Sequence, residues 1–374
     1  MCASSNNVTF DNRQNCEFAT TVKQRVHDYF EKRQLSKHAN ASMVTKTVVL
    51  LTVYFGSYAL IISGLLPLWA MGALCVVMGV AMAGVGFSIG HDALHGAYSS
   101  NKHVNALLGR SFDLVGANSY VWNIIHNITH HTYTNIHGHD HDLEIAPFIR
   151  LSPHSEHRPI HRFQHILAFG TYAFATLFWV FIKDYKNFLK RDIGPYEDKT
   201  HPPREWALLI VWKLIYYGYT IVVPLMILDI LWWQFVIGFL TFHLTAGLIL
   251  GVVFQLAHVV EGPAHPKPGD DNRVEQHWLI HQMHTTANFA RNNRWLSWYL
   301  GGLNFQIEHH LFPRICSVHY PRIAPIVERT ARQFGVPYNE QPTFIDAIHS
   351  HYRTLKNFGR NPDPPAPVYG TENR

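Results

Sequence analysis

Residues 67–96 read PLWAMGALCVVMGVAMAGVGFSIGHDALHG. Positions 67–90 carry no charge; then His91 and His95 stand four apart, with Asp92 beside the first. Residues four apart share one face of a helix. About 20 apolar residues cross the hydrocarbon core of a bilayer. The stretch therefore predicts a membrane-spanning helix that presents two imidazoles where it leaves the lipid. Just upstream, residues 47–66 are also uncharged, with only Pro67 between the two runs. A tight helical hairpin is expected, because so long an uncharged length exceeds what buried helices of a soluble domain require.

A second pair of runs follows at 207–228, where Lys213 is the one charge and lies near the start, and at 230–257, which has none; Asp229 marks the turn. Lys213 is expected to snorkel. A fifth apolar run, 165–182, is barely long enough to cross. Lys and Arg number 7 in residues 1–46, 11 in 91–204 and 12 in 259–374, and neither short turn has any. By the positive-inside rule all three basic segments are cytoplasmic. Segment 165–182 then cannot cross, and should lie at the interface or against the hairpins. The expected fold is an all-α integral membrane protein with four spans in two hairpins. A cytoplasmic helical cap would hold both termini and every histidine cluster.

The composition agrees. Hydrophobic residues make up 47% and charged residues 15% of the 374, against about 25% charged in soluble domains. The 27 histidines outnumber Asp and Glu together, at 26. Cys2, Cys16, Cys75 and Cys316 form no CxxC pair, which fits neither a disulfide framework nor a thiolate metal site and suits a reducing compartment. The first 43 residues carry mixed charges and no apolar core, so no cleavable signal peptide is expected. Residues 319–335 and 342–357 read as amphipathic helices of the cap. The Pro-rich end is read as a disordered tail, 359–374, after a single domain over 47–358. No nucleic-acid partner is expected.

The histidines fall into four groups. His91 and His95 form the first, HDALH. His126, His130 and His131 form HNITHH, the first two on one helix face and the third about 100° round. In QIEHH, Gln306 precedes His309 and His310 by three and four, so all three can converge. His258 stands alone after the fourth run. Singly, each is an ordinary surface or interface feature. Together, with all clusters on one side of the membrane and the first cluster and His258 adjoining expected span ends, eight histidines and Gln306 exceed the needs of one metal and suit two. Imidazole sites suit Zn, Cu, Fe or Ni. Structural zinc takes four ligands, usually with cysteine, and the Glu-x-x-His pattern of soluble di-iron bundles occurs nowhere. A histidine-built membrane di-iron site is the economical choice.

HDALH, HNITHH and QIEHHLFP, with the lead-in TTANF…GGLNF, resemble the three histidine boxes of membrane fatty acid desaturases. The resemblance runs from about residue 17 to 345, in box order and spacing. Glutamine in place of the first histidine of the third box is similar to the front-end and linoleoyl-type enzymes. These add a double bond between an existing one and the carboxyl end. The resemblance implies two Fe ions, dioxygen as co-substrate, a long-chain acyl substrate on coenzyme A or a lipid, and a cis double bond as product. Many front-end enzymes carry a fused cytochrome domain marked by His-Pro-Gly-Gly. That tetrapeptide is missing here, so a separate ferredoxin or free cytochrome is the expected donor.

Asp92, Glu308 and Asp140 are candidates to fix imidazole tautomers; the plainer reading of each is solvated loop charge, and for Asp140 that is the expected one. The histidines of HDHDLE, 139–144, read as loop residues rather than ligands. The same site would also serve a lipid hydroxylase or a sphingoid-base desaturase. A haem carrier or a metal transporter would place ligands inside the spans, where only His243 lies.

Overall fold

Among the described residues, four helices are long and apolar enough to cross a bilayer: Ala41–Ile62, Leu68–Leu94, Pro203–Ile227 and Trp232–Leu256. The chain is mostly helical, and the computed structural model describes residues 8–143, 148–193, 200–269 and 272–363. The first helix starts six residues earlier than the apolar run. Asn40 caps it, accepting from Met43 N at 3.1 Å. Lys46, whose charge set the expected boundary, sits inside the helix at 3% exposure with its ammonium 5.7 Å from the Trp298 ring. The helix ends at Ile62 because Gly64, at φ 66°, turns the chain through the left-handed region.

The second helix is regular to Gly84, winds as a π turn over Val85–Gly90 and resumes through His91–Leu94. It continues past the expected end at 90, so His91 is held on a rigid element. It meets the fourth helix closely: a Cβ at Gly79 would lie 2.6 Å from the Phe242 carbonyl oxygen. A small residue there lets the backbones approach.

The third helix contains a π turn, Gly218–Val222, just before Pro224. Proline lacks the N–H and crowds the carbonyl four residues back, and local widening relieves both. Lys213 does not snorkel. It is 3% exposed and donates to Asp184 Oδ2 at 2.8 Å, the Val180 carbonyl at 2.9 Å and the Gly116 carbonyl at 2.7 Å.

Asp184 belongs to the fifth apolar segment, two helices, Pro159–Ala173 and Ala175–Leu189, bent by 60°. The bend was not foreseen. The segment packs on the fourth helix, where a Cβ at Gly247 would lie 2.2 Å from the Ala173 carbonyl oxygen.

Outside these helices, Cys16–Lys32 and Tyr320–Gln333 pack together through Phe18, Val22, Val26 and Phe30 against Ile323, Val327 and Ala331. Helix Cys16–Lys32 thus contributes to a core through a four-residue apolar period among its charges. Phe344–Arg360 forms the other amphipathic helix. It runs through 359 and 360, which the expected tail included. Arg150 then donates to the Asn361 and Pro362 carbonyls at 2.8 and 2.7 Å, and the remainder from 364 lies outside the described residues. Asn288–Phe289 pairs in parallel with Glu340–Gln341 beside the histidines.

Candidate metal centre

The eight histidines singled out above converge. His91, His95, His126 and His309 form one group, and His130, His258 and His310 a second; His131 groups with His309 and His310 between them. Within each group the candidate nitrogens lie within 4.8 Å of one another. The second helix delivers His91 and His95, and the end of the fourth delivers His258. The short helix Gln306–Leu311 supplies His309 and His310, about 100° apart, so one serves each group. Asn123–His130 is a π segment, whose winding brings residues five apart together. His126 and His131 accordingly meet with ring centroids 4.9 Å apart. His126 and His130 do share a face, stacked at 5.1 Å, yet belong to different groups.

Outer contacts orient the rings. His130 Nδ1 lies 2.9 Å from Asp140 Oδ2, and His126 Nδ1 lies 3.3 Å from Asp142 Oδ2. His258 Nδ1 meets the Thr285 carbonyl at 3.2 Å, and His310 Nδ1 meets Gln282 Oε1 at 2.8 Å. Gln282 Nε2 donates to the His131 carbonyl, which fixes its oxygen toward His310. Carboxylates and carbonyls only accept, so in these four rings the proton sits on Nδ1 and the Nε2 lone pair faces inward. His309 Nδ1 is 3.3 Å from the Tyr320 hydroxyl.

The inward nitrogens test the fit of a metal. His95, His126, His130, His258, His309 and His310 each leave a buried Nε2 unpartnered, as do His91 Nδ1 and both nitrogens of His131. An unmet buried polar atom costs about 1–3 kcal/mol. Nine such atoms together would match or exceed the roughly 5–15 kcal/mol net stability of a domain. Lone pairs so arranged fit metal ions. Burial pushes His126 down to about 3 and holds His131, His258, His309 and His310 well below the usual histidine range. They are neutral and ready to ligate. Burial also opposes charge on His130, but Asp140 outweighs it and raises that ring.

Asp140 is 1% exposed and is no solvated loop charge; it also accepts from Asn135 N and Asp142 N. Asp142, also bridged to Lys183 at 3.5 Å, was missed; the alternation HDHD at 139–142 was its signal. Asp92 Oδ1 stands 3.7 Å from His91 Nδ1, while its Oδ2 accepts from Ser317 N and Oγ at 3.0 and 2.8 Å. Glu308 turns instead to Asn288 Nδ2 and the Tyr338 hydroxyl, both at 2.8 Å. His139 and His141 join none of the three groups. Tyr320 and Gln282 had no signal in the sequence, and Thr285, which opens the TTANF lead-in, acts through its backbone carbonyl.

An apolar cavity of about 190 Å³ reaches His91 and His126, with Phe87, Phe112 and Phe254 in its wall. Gln306 lines it, and so does Gln255, fully buried with both amide atoms unpartnered.

Helices long and apolar enough to cross a bilayer, with buried histidine groups that could hold metal beside an apolar cavity, fit a membrane enzyme that acts on hydrocarbon chains. A family profile described as fatty acid desaturase matches residues 67–342, and the chain belongs to the fatty acid desaturase family. It is 39% identical over 349 residues to an sn-1 linoleoyl-lipid 6-desaturase of Synechocystis sp., covering 92% of this chain and 96% of that one. A second sn-1 linoleoyl-lipid 6-desaturase, from Arthrospira platensis, is 36% identical, covering 97% and 98%. An acyl-lipid (8-3)-desaturase of Physcomitrium patens is 35% identical, covering 92% of this chain and 72% of that one. The protein is a fatty acyl desaturase, an oxidoreductase.

Proposed function

We propose that this chain is a front-end acyl-lipid desaturase that inserts a cis double bond between an existing one and the carboxyl end of a lipid-bound acyl chain. What carries the reading is the set of unpartnered histidine nitrogens, gathered in two groups beside an apolar cavity. His91, His95, His126 and His309 would hold one iron, and His130, His258 and His310 the other, with His131 between them. Gln306 would stand at the first site or support it. Two irons held there would supply the oxidising power, with dioxygen, two electrons, two protons and two substrate hydrogens ending as two waters and an alkene.

The chain's own residues do the rest. Neutral imidazoles hold the metals without adding anionic charge. Asp140 and Asp142 keep the His130 and His126 protons on Nδ1, and Asp92 steadies the His91 turn. Glu308 acts one step further out, by fixing Asn288 beneath the third box. The cavity wall excludes water and aligns the methylenes, while Gln255 and Gln306 face the reacting stretch. Electrons come from a separate ferredoxin or free cytochrome.

The proposal includes the topology: residues 1–46 as a cytoplasmic segment, two hairpins within a domain over 47–358, and both termini and the metals on the cytoplasmic side. Tags near 155 and 270 should then report the same side.

The test is expression in a host without polyunsaturated lipids, fed linoleate, with fatty-acid analysis. A new double bond on the carboxyl side of carbon 9 is expected. A hydroxylated product, or a new double bond on the methyl side, would overturn the reading.

A further inference from the structure

The helices Cys16–Lys32 and Tyr320–Gln333 leave a groove on their outer side. Arg25, Lys32, Arg33 and Arg329 line it, and Asp28 is the one acid among its described lining residues. Lys32, Arg33 and Arg329 are exposed. Arg25 is braced by Thr330 Oγ1 at 3.0 Å and Gln333 Oε1 at 2.6 Å, and the Arg33 guanidinium lies 4.9 Å over the Tyr29 ring.

The floor of this groove leads inward. Tyr29, a lining residue, meets Phe30 edge-on at 5.3 Å, and Phe30 meets His319 at 5.3 Å. His319 is peptide-bonded to Tyr320. The Tyr320 ring lies 6.1 Å from His309, with its hydroxyl 3.3 Å from Nδ1. An aromatic path thus joins a cationic surface to one histidine of the metal centre.

We propose that this groove docks an acidic one-electron carrier protein and that electrons pass through Tyr29, Phe30, His319 and Tyr320 to the metal at His309. The inference rests on the desaturase reading. In each encounter the carrier is oxidised by one electron and the metal pair is reduced by one; two encounters supply the two electrons of a turnover, and no bond is made or broken. Weak redox encounters use small interfaces, and opposite charge speeds and orients them. An anionic lipid surface would also suit the cations, but it has no use for a path that ends at His309.

The test reverses three exposed charges, Lys32→Glu, Arg33→Glu and Arg329→Glu, in the full chain loaded with iron. Pre-reduced plant-type ferredoxin, or a small acidic cytochrome, is titrated at several ionic strengths. The donor KM should rise roughly 10-fold or more, and its salt dependence should flatten. Product from one turnover driven by dithionite with a small neutral mediator should be unchanged. An unmoved donor KM overturns the docking site. Lost binding to anionic vesicles with an unmoved donor KM makes the groove a lipid contact instead. Absence of dithionite-driven product from wild type refutes the desaturase reading, whatever the groove does. Phe30→Leu should slow reduction at saturating donor without moving its KM, and Phe30→Trp should restore the rate. Equal rates in Phe30→Leu and wild type overturn the path.

Discussion

Asp140→Asn should loosen one metal and spare the other. Both carboxylate oxygens are used: Oδ2 by His130 Nδ1 and Asn135 N, each at 2.9 Å, and Oδ1 by Asp142 N at 3.1 Å. An amide keeps one acceptor, and its NH2 must face one of the backbone N–H groups. Leaving that donor unmet costs about 1–3 kcal/mol, and losing an outer partner of a ligating histidine lowers metal affinity about 10–100-fold. Asp140 serves only His130, in the group with His258 and His310. Asp142 serves His126, in the other group. Iron content against increasing chelator should therefore fall in two steps for Asp140→Asn, with about half released early. Asp142→Asn should also release half early, but from the other site, so the double variant should release both together. Circular dichroism should show unchanged helix content in all three. Loss of both irons in a single step from Asp140→Asn would refute the assignment of Asp140 to one site.

Three further outcomes are expected. Gln306→Glu places a charge beside the irons and should cut turnover severely, whereas Gln306→His should retain iron with an altered rate or product profile; two variants matching wild type in iron content and products would remove Gln306 from the site. Lys213→Met leaves Asp184 buried without its partner and should cost about 3–5 kcal/mol; thermal unfolding in detergent reads the loss, and adding Asp184→Asn should recover part of it. Chelator-treated protein should be most stable above about pH 6.5. His126 titrates near 3 when folded and near 6.5 when unfolded, so the unfolded chain takes up the proton first and stability falls as pH drops through that window; a melting temperature that is flat or rising from pH 7.5 to 5 would contradict this.

The apolar runs and the histidines were legible because each is a local property. An uncharged stretch of about 20 residues reads as a span wherever it lies, and an i,i+4 pair shares a face before any tertiary contact forms. Hence all eight histidines were identified from the chain alone, and all eight meet. Boundaries were less legible where a charge is hidden. Lys46 looks like a span limit in the sequence and Lys213 like a snorkelling charge, but burial against Trp298 and pairing with Asp184 keep both inside helices.

What only the tertiary structure decided is which groups share an environment. Asp140 and Glu308 are alike as isolated carboxylates. The turn after HNITHH swings Asp140 back onto His130, while Asn288 and Tyr338 capture Glu308. The division of adjacent His309 and His310 between two groups likewise depends on histidines brought in from distant segments, and the bent segment around 174 packs on the fourth helix. A hydrogen bond is settled by a few tenths of an ångström and by direction. Composition and spacing carry neither, whereas the hydrophobic effect needs only the amount of apolar surface.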